Sequence, residues 1–215
     1  MSRDFKRVKM NFKTEQEKFW AGDFGDEYIR RNKSEEILAS NLNLFSKAFN
    51  QIGRPNSLIE FGANIGMNLR AIKLLFPKID LSAIEINKTA SEELAKHLGK
   101  DKVFNCSIFD YLPNQKFDVS LIKGVLIHIN PDMLNDVYNK LYESSSKYIL
   151  ICEYYNPSPV TVNYRGHSDR LFKRDFAGEM LEKYSDLNLV DYGFCYKRDK
   201  AFPQDDVTWF LLEKK

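Results

Sequence analysis

The spacing of apolar residues changes character along the chain, and the changes mark its elements. Between Thr14 and Asn32, Phe19, Trp20, Phe24, Tyr28 and Ile29 cluster around Gly22 and Gly25. That pattern predicts a short helix, a turn and the start of a second helix. Ser34 is a good N-cap for the next segment. Ile37, Leu38, Leu42, Leu44, Phe45, Ala48 and Phe49 then recur at helical spacing until Gly53, Arg54 and Pro55 stop the helix. Short apolar runs follow, and they predict strands at Ser57–Phe61, Leu81–Glu85, Val103–Ser107, Phe117–Ile122 and Tyr148–Glu153. Helical patterns lie between them, from Gly66 to Pro77, Thr89 to Leu98 and Pro131 to Tyr142. Such alternation implies a parallel sheet with helices on both faces. The end of the chain differs. Val190, Tyr192, Phe194 and Tyr196 alternate with polar positions, and Val207–Leu212 follows after a turn, which predicts an antiparallel hairpin at the sheet edge. The expected architecture is α/β: a Rossmann-like, doubly wound, mostly parallel sheet with a C-terminal antiparallel hairpin. One domain is expected over 34–215, preceded by a helical lid over 1–33.

Composition narrows the chemistry. The 215 residues include 32 Lys and Arg against 30 Asp and Glu, a net charge of +2, which argues against a dedicated nucleic-acid binder. Cys106, Cys152 and Cys195 are scattered, and three histidines form no cluster, so neither a disulfide framework nor a metal site is expected. The longest apolar run, Tyr148 to Cys152, is far below the roughly 20 residues of a membrane span. The N-terminal stretch lacks an apolar signal region. A cytoplasmic protein with reduced thiols and no membrane partner is expected.

In an open parallel sheet, ligands bind beyond the carboxyl ends of the strands. The first strand runs into Glu60-Phe61-Gly62-Ala63-Asn64-Ile65-Gly66, where glycines allow a sharp turn and close approach to a ligand. The second strand ends in Glu85, placed to accept both hydroxyls of a ribose. Together these describe an adenosine-binding half-sheet. A nicotinamide dinucleotide would call for G-x-G-x-x-G around its pyrophosphate. Here the spacing is G-x-x-x-G, and Glu60 would repel a pyrophosphate but suit an ammonium group.

The motif Glu60-x-Gly62-x-Asn64-x-Gly66, with Glu85 and the terminal hairpin, resembles the class I S-adenosylmethionine-dependent methyltransferases over roughly Ser57 to Lys215. Asn64 stands where that family's usual motif has its middle glycine, and Asn tolerates positive φ. The resemblance implies that Glu60, Gly62, Ala63, Asn64 and Gly66 hold the methionine moiety of S-adenosylmethionine. It also implies that Glu85 and Ile86 hold the ribose, and that Ser107 and Ile108 flank the adenine. Lys123 after the fourth strand, with Trp20 and Tyr28 from the N-terminal extension, complete the expected cofactor site, and Arg31 one turn after Tyr28 is placed to reach the cofactor carboxylate. Further stretches are similar to the pseudaminic acid biosynthesis-associated methylases: Thr14 to Tyr28, Lys123 to Pro131, Cys152 to Pro157, Asn163 to His167 and Pro203 to Trp209. That likeness implies a small acidic or nucleotide-linked sugar substrate, a nonulosonic acid intermediate, methylated on oxygen or nitrogen.

His128, after the fourth strand, is the leading candidate base, because an imidazole titrates near neutral pH. Tyr164 and His167 stand behind it. Glu153, Tyr154 and Asn156, from the segment after the fifth strand, are candidate substrate contacts. So are Arg165 and Arg170 in a basic loop over 164–174, since arginine forks match carboxylates and phosphates. The cysteines are read as buried filler. Two other functions fit the same pocket residues: a catalytically silent adenosine-binding scaffold and an NAD-dependent sugar oxidoreductase.

Overall fold

The computed structural model describes residues 12–31, 34–164 and 166–215. Two short helices come first, α1 (Glu15–Ala21) and α2 (Asp23–Arg31), followed by α3 (Glu35–Ala48). Thr14 closes α1 with a capping box: its hydroxyl accepts from Glu17 N at 3.2 Å, and Glu17 returns a carboxylate to Thr14 N at 3.0 Å. Ser34 caps α3 by accepting from Ile37 N at 3.1 Å.

The sheet region then runs β1 (Ser57–Phe61), α4 (Met67–Leu75), β2 (Asp80–Ile84), α5 (Lys88–Leu98), β3 (Val103–Phe104), β4 (Phe117–Lys123), α6 (Leu134–Ser144) and β5 (Ser145–Glu153). A hairpin of β6 (Val160–Tyr164) and β7 (His167–Lys173) follows, then α7 (Phe176–Lys183), β8 (Leu187–Cys195) and β9 (Val207–Lys214). Seven strands form one sheet in the order β3-β2-β1-β4-β5-β9-β8. The first five are mutually parallel, and β9 runs antiparallel between β5 and β8. Strand order reverses between β1 and β4, so a crevice opens beyond their carboxyl ends. The central strands are buried on both faces, in keeping with their unbroken apolar runs. One apolar cluster joins α3, α4 and Leu94 of α5 to one face through Leu58, Val119, Leu121 and Leu150. The other joins α6 and α7 to the opposite face through Ile59, Phe61, Ile122 and Ile149.

Three expectations need correction. The third strand stops at Phe104 rather than Ser107, because Ser107 begins a turn whose carbonyl accepts from Asp110 N and Tyr111 N, both at 3.1 Å. Cys106 therefore lies past a strand and is half-buried. The segment over 164–174 is not a loop: most of it pairs with β6, Thr161 opposite Phe172 and Val162 opposite Leu171. The same region ends in a helix, α7, capped by Asp175 accepting from Gly178 N at 2.8 Å.

Candidate functional site

The turn after β1 is built from residues in the left-handed region: Gly62 at φ 76°, Asn64 at 50° and Gly66 at 82°. Gly62 N and Ala63 N both donate to Ile84 O, at 2.9 and 3.1 Å, which folds the turn back against the tip of β2. A Cβ at Gly62 would lie 2.6 Å from Val125 Cγ2, so the close approach of the two loops requires a bare backbone. Gly66 opens α4, and its missing Cβ makes room for Leu94 of α5.

Glu85 sits at the centre of this arrangement. Its Oε2 accepts from Asn64 N at 2.6 Å and its Oε1 from Asn87 N at 2.7 Å. The backbone N–H of Ile86 also pulls on this carboxylate, and of the about four lone pairs an ionised carboxylate offers, acceptor capacity remains for a ligand hydroxyl. Burial pushes the carboxyl up to about 7, against the pull of those backbone N–H groups.

A cavity of about 500 Å³ opens over these tips. Of the residues read from the sequence, Trp20, Tyr28, Gly62, Ala63, Asn64, Glu85, Ile86, Ser107, Ile108, Lys123, His128, Tyr154 and Tyr164 line it, as does Arg31. The roof comes from α1 and α2 on one side, and β6–β7 closes another with Tyr164 and Leu171. Trp20 meets Tyr28 edge-on at 5.2 Å and lies 4.8 Å from the His128 ring, which is 5.2 Å from Tyr164. The Arg31 guanidinium stands over Phe24 at 5.4 Å and Tyr28 at 5.8 Å.

His128 ends a short 3₁₀ turn, Leu126–His128, just after β4. Its Nδ1 lies 2.6 Å from the carbonyl of Arg170. A carbonyl only accepts, so Nδ1 carries the proton and Nε2 keeps its lone pair. Burial depresses the imidazole to about 4, partly offset by the Arg170 carbonyl, so the ring is neutral at pH 7.

Several candidates do not meet the cavity. Glu60 is fully buried behind it. Its Oε1 accepts from Asn68 Nδ2 at 2.6 Å, and it is Asn68 that reaches the wall. Burial raises the Glu60 carboxyl to about 8, which keeps it largely protonated at neutral pH. The structure thus places Asn68, not Glu60, at the wall where the sequence expected Glu60. Gly66 shapes the turn without forming wall. Glu153 turns inward, away from the cavity wall: its Oε1 accepts from Val125 N and Leu126 N, both at 2.9 Å, and so anchors the turn that carries His128. Asn156 is half-buried, lies off the cavity wall and donates to Ser158 O at 2.5 Å. Arg170 meets the site through its carbonyl, while its guanidinium stands over Phe19 at 5.8 Å. Arg165 and the His167 side chain lie outside the described residues. Among the described residues no three His, Cys, Asp or Glu side chains are grouped to hold a metal, and no helix is long and apolar enough to cross a membrane.

The sequence reading missed Asn41, Asn68, Asn87 and Gln204 on the wall. A signal existed for Asn87, an N-cap residue two positions after Glu85. Gln204 lies in the Pro203–Trp209 stretch of resemblance, but nothing local placed it on the wall, where it reaches Asn41 Oδ1 at 2.9 Å from 163 positions away.

No protein-family model and no curated protein matches the chain. Solved structures do. The Burkholderia thailandensis 1,6-didemethyltoxoflavin-N1-methyltransferase, crystallised with 1,6-didemethyltoxoflavin and S-adenosylhomocysteine, superposes with a TM-score of 0.71 over 97% of this chain and 93% of its own, at 18% identity. The magnesium protoporphyrin IX methyltransferase of Synechocystis PCC 6803, with bound S-adenosylmethionine, gives 0.67 over 96% of this chain and 100% of its own, at 9% identity. A glycopeptide N-methyltransferase complexed with S-adenosylmethionine gives 0.59 over 82% of this chain and 94% of its own, at 11% identity. The fold is that of the class I methyltransferases. Its mostly parallel seven-stranded sheet ends in the antiparallel pair β8 and β9.

Proposed function

We propose that the protein is an S-adenosylmethionine-dependent methyltransferase acting on a small acceptor. The observation that carries this reading is Glu85: a buried carboxylate at the tip of β2, fixed by the backbone N–H groups of its neighbours with acceptor capacity to spare, facing the same cavity as the left-handed turn after β1. Glu85 and Ile86 would hold the ribose, and Ser107 and Ile108 the adenine. Gly62, Ala63, Asn64 and Asn68 would hold the methionine part, with Arg31, Lys123 and Tyr28 near its carboxylate. Bound there, the cofactor supplies a methyl group activated by its sulfonium. The chain's own work is then alignment of the acceptor for in-line attack and exclusion of water. Of the expected lid over 1–33, α1 and α2 would serve, with Trp20 and Tyr28 as the inner face; residues 1–11, 32 and 33 lie outside the described residues. His128, neutral and with Nε2 free, would take the proton of an acceptor hydroxyl, while an amine acceptor can dispense with it.

For the acceptor we infer a small acidic sugar of the nonulosonic type. The likeness of several sequence stretches to pseudaminic acid-associated methylases supports it. So does an aromatic wall of Trp20, Tyr154 and Tyr164, against which the apolar face of a sugar ring packs. Three free cysteines fit work in the reducing cytoplasm. The test is calorimetry with S-adenosylmethionine, S-adenosylhomocysteine and NAD, then incubation with labelled donor and an acceptor panel read by mass spectrometry. Binding of the first two and a labelled acidic sugar is the expected result. Binding of NAD alone overturns the methyltransferase reading. Labelled product from non-sugar acceptors only overturns the sugar.

A further inference from the structure

Asn87 stands between the two halves of the cavity and touches both. Its backbone N–H donates to Glu85 Oε1 at 2.7 Å. Its side-chain oxygen accepts from Ala90 N at 2.9 Å and so caps α5. The remaining amide group points at the α1–α2 pair: Nδ2 donates to Asp26 Oδ1 at 2.9 Å and lies 3.4 Å from Trp20 O. Asn87 is 4% exposed and every part of its side chain is used. The turn beneath it is adapted to the contact. A Cβ at Gly25 would lie 2.8 Å from Asn87 Nδ2 and closer still to the Trp20 carbonyl, so only glycine lets the two segments meet this closely. Trp20 in turn packs on the His128 ring. A continuous path therefore runs from the carboxylate at the tip of β2, through one asparagine, to the aromatic roof over the candidate base.

We propose that Asn87 is a positioning residue that latches the α1–α2 segment shut over the cavity and ties that closure to the group held at Glu85. In naming a ribose as that group, the proposal rests on the methyltransferase reading; the latch itself rests only on the contacts above. An asparagine suits the task because it carries an acceptor for the helix cap and a donor for the anionic Asp26 in one side chain. Lid closure and helix capping are thereby separable by substitution. The N87D variant still caps α5, since aspartate and asparagine are equivalent N-caps, but its new carboxylate presents an oxygen to Asp26 and repels it. In D26N/N87D the polarity is reversed and the bond to residue 26 is restored, because the amide introduced on α2 donates to the carboxylate introduced before α5; only the longer 3.4 Å contact with the Trp20 carbonyl stays lost.

The experiment measures two quantities on wild type, N87D, D26N and the double variant of the full chain. The first is the rate of limited proteolysis within 14–31, without and with S-adenosylhomocysteine. The second is the dissociation constant for S-adenosylhomocysteine by calorimetry. N87D is expected to be cut faster without ligand, to gain little protection from ligand, and to bind about tenfold more weakly, as loss of one charge-assisted hydrogen bond implies. Unfolding midpoints of all four are expected to stay close. D26N, which retains a neutral amide pair, is expected to lie near wild type, and the double variant to recover both readouts. Equal proteolysis of N87D and wild type overturns the latch. Failure of the double variant to recover overturns it as well, since the effect would then come from the added charge beside Glu85. If wild type binds no S-adenosylhomocysteine, the methyltransferase reading fails. The ligand-free proteolysis series still decides the latch in that case.

Discussion

Replacing Glu85 by Gln separates the cost of this carboxylate from its use. The side chain is 7% exposed and its pKa is raised by burial from 4.5 to about 7. The folded protein thus binds this proton more tightly than the unfolded chain. The group's contribution is fully present below pH 4.5 and is lost as pH rises through about 7. At about 1.4 kcal/mol per pH unit, the interval amounts to about 3 kcal/mol of stability surrendered by wild type between acid and neutral pH. Gln has no proton to lose, so the variant escapes this decline. It has its own cost: at least one backbone N–H group, such as that of Asn64 or Asn87, faces an amide N–H instead of an oxygen, worth about 1–3 kcal/mol. The variant is therefore expected to be less stable than wild type near pH 4.5 and equal or more stable at pH 8. Its affinity for S-adenosylhomocysteine at pH 8 should fall about ten- to a hundredfold, as expected for one charge-assisted hydrogen bond lost to a hydroxyl. Denaturant unfolding at pH 4.5, 6, 7 and 8 gives the first quantity and calorimetry the second. A stability difference that does not move with pH refutes the buried-charge account. Unchanged affinity refutes the assignment of Glu85 to the ribose.

Further expectations follow from single contacts. Gly62→Ala drives a Cβ into Val125 and forces a non-glycine residue to φ 76°, so thermal unfolding should show a loss of about 1–3 kcal/mol, together with weaker ligand binding. His128→Gln should lower turnover of a hydroxyl acceptor by about 10²- to 10⁴-fold. In wild type the rate should show no titration limb near pH 6.5, because the ring stays neutral down to about pH 4. The same depressed pKa means that the stability linked to His128 is complete above pH 6.5 and is lost as pH falls toward 4, which acid unfolding of the variant checks. Glu153→Ala strands the N–H groups of Val125 and Leu126 and should lower both the melting temperature and kcat, whereas Glu153→Gln, still offering one oxygen to both, should lie near wild type. Equal melting curves for the two Glu153 variants would show that the turn does not depend on this acceptor.

What the sequence disclosed was local. The turn after β1 was legible because glycine spacing, and an asparagine that tolerates left-handed φ, are written in consecutive residues. Glu85 was legible because an acid follows an unbroken apolar run. Glu60 and Glu153 also end or interrupt such runs, yet both face away from the cavity. Their directions depend on partners distant in sequence: Glu153 turns toward N–H groups freed by a turn 27 and 28 positions earlier. Arg170 could not be read at all in this sense, since it contributes a carbonyl where the sequence advertises a guanidinium. The β6–β7 hairpin was hidden by Pro157, Pro159 and the surrounding charges. The short helix α7 spans 8 residues, too few for its buried Phe176, Ala177 and Met180 to establish a period.

The β6–β7 hairpin stands outside the seven-stranded sheet and is spliced into the chain between β5 and α7. Among the described residues it furnishes Tyr164 and Leu171 to the cavity, whereas Glu85 and the turn after β1 are held by bonds to one another and to the tip of β2. Substitutions in the hairpin are thereby insulated from the Glu85 end of the cleft. The far wall of the cavity can therefore change its shape and chemistry through a short appendage over 160–173 without disturbing the bonds that hold Glu85.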